Sequence, residues 1–227
     1  MVVKLGSGVH EVVGSWTNRW GNLFQKMLSV PCNNLSFVGQ GEGESIVGGG
    51  FVVENGRKIR CECLTVKNSS GCGLVAYGAG TEIFLENVTV KDCQGGGVHA
   101  GRGAKVVGTD CQFCRNGGNG VYVQGSTTTA CLTNCTIHHN YSSGLTAYSG
   151  VVVDLMGEGT SVHDNGRNGL DAYLHGATIN VYLPCVLNDM SHGNGRHQRQ
   201  LINVDVRNGQ NIKRNEGGII QQKDSKK

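Results

Sequence analysis

Five copies of one four-residue phrase recur along the chain: glycine, an aliphatic residue, any residue, then a small apolar one. They are Gly73-Leu74-Val75-Ala76, Gly97-Val98-His99-Ala100, Gly120-Val121-Tyr122-Val123, Gly144-Leu145-Thr146-Ala147 and Gly169-Leu170-Asp171-Ala172. A sixth, Gly50-Phe51-Val52-Val53, extends the series toward the N-terminus, and successive glycines stand 23, 24, 23, 24 and 25 residues apart. So short a period leaves no room for two helices. With strand-type alternation inside it, it specifies a solenoid of strands.

Each unit divides into three apolar pieces separated by turns. One reads Thr81-Glu82-Ile83-Phe84-Leu85, then Asn87-Val88-Thr89-Val90, then Asp92 before the phrase at Gly97. Apolar and polar residues alternate within each piece, as in strands. A turn position precedes each phrase, at Asn68, Asp92, Asn116, Asn140 and Asn165. Asn and Asp tolerate the left-handed conformation and bond nearby backbone. Stacked on successive coils, their amides are expected to form a ladder. Three strands per coil of about 24 residues give an all-β, right-handed parallel β-helix, the hand following from the crossover preference of parallel strands. Each coil adds about 4.8 Å to the axis.

The ends are less regular. Residues 1–34 read as an irregular cap, in which Trp20, Leu23, Phe24, Met27 and Leu28 are spaced like one face of a short helix. Val9–Val13 and Leu35–Val38 read as strands of the first coils. Ile179–Tyr182 and Leu201–Val206 continue the strands, Asp189–Gln200 reads as a polar loop, and Asn215–Ile219 as a final partial rung. The organisation expected is one domain over 1–215 and a polar, disordered tail over 216–227.

Composition narrows the function classes. The chain has 227 residues with 37 Gly and only 2 Pro, which excludes a collagen-like repeat and suits frequent turns. A formal charge of +3 with scattered Lys and Arg argues against a nucleic-acid partner. No apolar run suits a membrane span. The N-terminus lacks the pattern of a secretory signal, and ten cysteines then favour a reducing, intracellular compartment, unless the chain is a piece of a secreted protein. Cys63, Cys111 and Cys135 each lie five positions before an Asn turn residue and read as one column of small buried residues. Neither a metal site nor a cofactor is predicted. His138-His139 and His163-Asp164 read as residues flanking turns.

The segments Asn87-Val88-Thr89-Val90-Lys91-Asp92 and Asn134-Cys135-Thr136-Ile137-His138-His139-Asn140, each followed by the Gly phrase, resemble the right-handed β-helix repeat family of the pectin-lyase-like superfamily. The resemblance covers about residues 35 to 210. It implies the fold, and is similar to modules of polysaccharide lyases and of certain F-box proteins. It leaves function open, because that family mixes lyases, hydrolases, epimerases and non-catalytic modules.

The phrase also maps the outside. Its second and fourth residues point inward, so the third and fifth line two exposed columns. One holds Val52, Val75, His99, Tyr122, Thr146 and Asp171; its neighbour holds Glu54, Tyr77, Gly101, Gln124, Tyr148 and Tyr173. Tyr77, Gln124, Tyr148, Asp171, Tyr173 and, at the margin, His175 are the candidate ligand-binding residues. His99 and Tyr122, on adjacent coils, could serve as base and acid beside a uronate carboxyl, with Arg102 stabilising its charge. Glu54 and Asp171 lie five coils apart, about 24 Å, too far to share a calcium ion or to act as a glycosidase pair. The leading expectation is therefore a binding scaffold for a polysaccharide or protein ligand. The alternatives are a metal-independent lyase or epimerase acting on acidic polysaccharide, and an assembly module that pairs through an open end.

Overall fold

The computed structural model describes residues 1–182, 184–185, 191–195, 213–215 and 218–224. Among them every regular element is a strand, and no helix is long and apolar enough to cross a membrane. The strands wind as a solenoid with three parallel faces. The six Gly phrases, with Met27–Ser29 before them, build a seven-stranded front sheet of Met27–Ser29, Gly50–Glu54, Leu74–Tyr77, Val98–Gly101, Val121–Gln124, Leu145–Tyr148 and Leu170–Tyr173. The second face runs through Lys105–Thr109, Thr129–Thr133, Val152–Met156 and Thr178–Tyr182; the third runs through Gln112–Cys114, Thr136–His138 and Ser161–His163. Two ten-residue strands, Lys58–Lys67 and Glu82–Lys91, belong to both faces. They bend between them at Cys63 and Asn87, which have left-handed φ values of 52° each.

The inward residues form one continuous core. Leu74, Val98, Val121 and Leu145 are fully buried on the front sheet, Ile59, Ile83, Val106 and Val153 on the second, and Val66, Val90, Phe113 and Ile137 on the third. Burying such side chains contributes roughly 1.5–3 kcal/mol each, so coil-on-coil stacking is the main source of stability.

The turn before the phrase contains two adjacent columns where the sequence suggests one. Asn68, Asp92, Arg115, His139 and Asp164 are the left-handed residues, with φ between 52° and 60°. The residue that follows each of the last three is a buried asparagine. Asn116, Asn140, Asn165 and Asn194 form the amide ladder, each backbone N–H and side-chain amide of one rung donating to the Oδ1 of the next at 3.0–3.1 Å. Cys93 holds the same place one coil earlier, and its N–H donates to Asn116 Oδ1 at 3.1 Å. Asn68 and Asp92 are thus not rungs of the ladder, because a one-residue slip moves them from the interior to the bend.

The ladder explains the repeated glycine. A Cβ on Gly120 would lie 2.7 Å from Asn140 Nδ2 and 2.4 Å from Ile137 Cγ2. The amides pass directly over the phrase glycine, leaving no space for a methyl group. The predicted cysteine column is also shifted. Cys111 and Cys135 are buried at the position that follows the bend residues Asp110 and Asn134, whereas Cys63 is itself a bend residue. Leu64 and Val88 fill that inward position on the earlier coils. None of the ten cysteines is in a disulfide.

Residues 1–34 contain a regular coil. Val2–Lys4, Gly8–Glu11 and Met27–Ser29 pair in parallel with Leu35–Val38, Ser45–Gly48 and Gly50–Glu54. The predicted capping helix is absent. In its place, Ser15–Thr17 and Leu23–Gln25 form an antiparallel hairpin inserted into that coil. Its loop is closed by Asn18, whose Oδ1 accepts from the backbone N–H of Trp20 and of Asn22 at 3.0 Å. The helical spacing is overridden because Trp16 and Phe24 alternate onto the front sheet, where they cover Met27, Val52 and Val75. Lys26, at φ 53°, then redirects the chain into the next strand.

At the other end, Gly218–Lys223 pairs in parallel with Thr178–Tyr182, and Lys213–Asn215 pairs antiparallel to it. The predicted disordered tail therefore contains a strand, held by Ile220, which is buried in the core. Ser191–His192, placed in a loop by the sequence, pairs with Val162–His163 as a further rung. Residues 189–190 and 196–200 of that loop and the expected strand Leu201–Val206 lie outside the described residues.

Candidate functional site

The register of the front sheet aligns Val75, His99, Tyr122, Thr146 and Asp171 in one outward column and Tyr77, Gly101, Gln124, Tyr148 and Tyr173 in the next. On the first coils the outward side is not exposed, since Val52 and Val75 are buried beneath the hairpin. From His99 onward the outward rings are partly exposed and form a row. Centroids are 5.2 Å apart for Tyr77 and His99, 4.9 Å for His99 and Tyr122, 6.2 Å for Tyr122 and Tyr148, and 5.6 Å for Tyr148 and Tyr173. The first two contacts are edge-to-face and the last is stacked, geometries that aromatic pairs favour.

Gly101 gives Tyr77 its place in this row. A Cβ there would lie 2.9 Å from Tyr77 Cε1 and 3.2 Å from Gln124 Cγ, so a larger residue would push the ring away. Tyr77 Oη comes within 3.0 Å of His99 Nε2 and 3.2 Å of Nδ1, and Gln124 Nε2 lies 3.0 Å from His99 Nε2. With the Gln124 amide donating, Nε2 accepts and the ring proton resides on Nδ1. Burial lowers the His99 pKa to about 4 and raises those of Tyr77 and Tyr122. At neutral pH these three rings are uncharged.

Beside the ring row stands a polar wall. Asn119, Ser142, Ser143, Arg167 and Asn168, with Tyr122, Thr146, Tyr148, Asp171 and Tyr173, enclose a cavity of about 540 Å³. Asn119, Ser143 and Asn168 each immediately precede a phrase glycine, so the repeat spacing carried the signal that would have found them. Asn168 Oδ1 is buried with no hydrogen-bond partner among the described residues. A second cavity, of about 380 Å³, lies at the hairpin end between Trp16, Trp20, Phe24, Val75, Tyr77 and His99.

Of the sequence candidates, Tyr122, Tyr148, Asp171 and Tyr173 line the main cavity, while Tyr77 and His99 line its neighbour. Gln124 bridges the two columns through His99. Arg102 is exposed on the turn after Val98–Gly101, facing a smaller cleft with Glu54, Tyr77, Gln124 and Trp20. His99 and Tyr122 are not in that cleft's lining. His175 is exposed on the turn after Tyr173, outside the cavity lining. Glu54 and Asp171 remain five strands apart along the sheet. The described residues that bring metal-ligating atoms together lie elsewhere, where His139, His163 and Asp164 meet at the end of the third face.

Three parallel faces, the stacked asparagines and coils about 24 residues long agree with one family model, the right handed beta helix region, which matches residues 39–184. The chain belongs to that family. Its fold is that of the pectin-lyase-like β-helices. The solved structure of the pectate lyase Pel9A superposes on this β-helix with a TM-score of 0.53 at 10% identity. The match covers 85% of this chain and 65% of that one, so this β-helix spans less than two thirds of the lyase's length. The A-module of mannuronan C-5 epimerase AlgE4 from Azotobacter vinelandii matches with a TM-score of 0.30 and 14% identity over 86% of each chain. No curated protein matches by sequence.

Proposed function

We propose that this β-helix is a carbohydrate-binding scaffold whose front-sheet groove takes a glycan chain. The observation that carries the reading is the unbroken ring row from Tyr77 to Tyr173 beside the wall of Asn119, Ser142, Arg167 and Asn168. Rings present flat apolar faces for the C–H faces of sugars, while the wall and Asp171 supply groups for hydroxyls. A cavity of about 540 Å³ falls within the ligand-pocket range of roughly 300–1,000 Å³. A protein partner is less well suited, since stable interfaces engage about 20–30 residues a side and ten line this groove.

Use of His99 and Tyr122 as a lyase or epimerase pair has weaker support. A pKa of about 4 makes His99 a poor base at neutral pH. Its ring nitrogens are also already engaged by Tyr77 and Gln124.

The test is calorimetric titration of purified protein with neutral and uronate-containing oligosaccharides, with mass analysis of the products. Binding without turnover is expected, and Tyr148→Ala and Tyr173→Ala should each weaken it about tenfold, the size of one stacking contact. Unchanged affinity in both variants would refute the groove as the binding face. Chain cleavage lost on replacing His99 would instead establish the enzyme.

A further inference from the structure

The third face ends in an arrangement independent of the groove. His138, His163 and His192 are in register on three successive coils. Their rings stack at 5.1 Å, with interplanar angles of 4° and 11°. One residue later, His139 and Asp164 occupy the left-handed bend, with φ of 54° and 52°. Because the two share one backbone geometry on adjacent coils, their side chains leave the turn in the same sense. His139, His163 and Asp164 thereby place one donor atom each within 4.8 Å of one another.

Hydrogen bonds orient these ligands. Asp164 Oδ2 lies 2.8 Å from His163 Nδ1, and His138 Nδ1 lies 2.8 Å from His139 Nδ1. On binding, the ion takes the place of the proton between His163 Nδ1 and Asp164, which leaves to solvent, while His139, donating from Nδ1, keeps its Nε2 lone pair. The nearest cation on the preceding coil, Arg115, is already paired with Asp92 through bonds of 2.8 and 2.9 Å.

We propose that His139, His163 and Asp164 form a binding site for one divalent transition-metal ion, with His138 and His192 as the flanking imidazoles. Two imidazoles and a carboxylate match the donor set of zinc and its neighbours, and do not suit calcium, which takes six to eight oxygens. Tetrahedral zinc at about 2.0–2.1 Å from each ligand spaces the donors about 3.4 Å apart. Side-chain rotation of these exposed and half-buried residues closes the difference. The bound ion would bridge two successive coils across the turn and so fasten the C-terminal half of the solenoid.

The test uses tag-free protein stripped with chelator and kept reduced. Zinc titrated calorimetrically should bind at one ion per chain and raise the melting temperature. Cobalt should give visible d–d absorption without the intense near-ultraviolet thiolate bands that cysteine ligation produces. His139→Gln and Asp164→Asn change exposed side chains, so both variants should melt like wild type in metal-free buffer. Each should bind zinc at least tenfold more weakly and lose the metal-dependent rise in melting temperature. Absence of zinc binding, affinity unchanged in both variants, or thiolate bands with cobalt would each overturn the site.

Discussion

Replacing Asn140 with alanine tests the interior logic of the solenoid. Its side chain is 1% exposed and takes part in four hydrogen bonds. Oδ1 accepts from the Asn116 backbone N–H and side-chain amide at 3.1 and 3.0 Å, while Nδ2 donates to Phe113 O and Asn165 Oδ1 at 2.9 and 3.0 Å. Asn165 Oδ1 would keep the donation from the backbone N–H of residue 140. The two Asn116 donors would have no replacement, and a stranded buried donor costs about 1–3 kcal/mol. A total loss of about 3–4 kcal/mol is expected, near the upper end for single substitutions. Coils couple mainly to their neighbours, so the loss should be felt first at the coils of Asn116 and Asn165. Urea unfolding followed by circular dichroism gives the magnitude, and amide exchange at Asn116 gives the location. A loss under about 1 kcal/mol, or an Asn116 amide as protected as in wild type, would refute the view that the ladder bonds stabilise the fold.

Gly120→Ala should destabilise by about 1–3 kcal/mol through overpacking, because its methyl would meet Asn140 and Ile137; the same unfolding assay reads it, and a neutral result would show that the amide row can shift. Gly101→Ala should displace Tyr77 from His99 and weaken glycan binding while leaving the melting temperature within a few degrees, measured by titration and thermal melt. His99 titrates near 6.5 when unfolded and about 4 when folded, so the unfolded chain binds more protons between these values. Stability should therefore fall by about 2–3 kcal/mol as pH drops from about 6.5 to about 4, and His99→Gln should flatten that slope. Burial pushes the thiols of Cys61 and Cys93 up to about 12; iodoacetamide should label the half-buried Cys63 and Cys131 in the native protein well before these two, as peptide mapping would show.

The sequence by itself determined the solenoid, its three strands per coil and the inward column of the front sheet, because a 24-residue period with two-residue alternation admits one way of stacking strands. It also placed His99 beside Tyr122, since register in a parallel array follows from spacing alone. It could not separate the left-handed bend at Asp164 from the buried amide at Asn165, one residue apart and alike in composition. Nor could it foresee the hairpin of Trp16 and Phe24, whose helical spacing and strand alternation are equally legible. That choice was made by an apolar strip at Met27, Val52 and Val75 that exists only once the coils have stacked. Tertiary structure alone closed a cavity between the ring row and its polar wall, and set donor atoms of His139, His163 and Asp164 within 4.8 Å of one another. The spacing of a repeat fixes which residues share a column, but what a side chain meets across a turn depends on bends of one residue that a periodic pattern does not resolve.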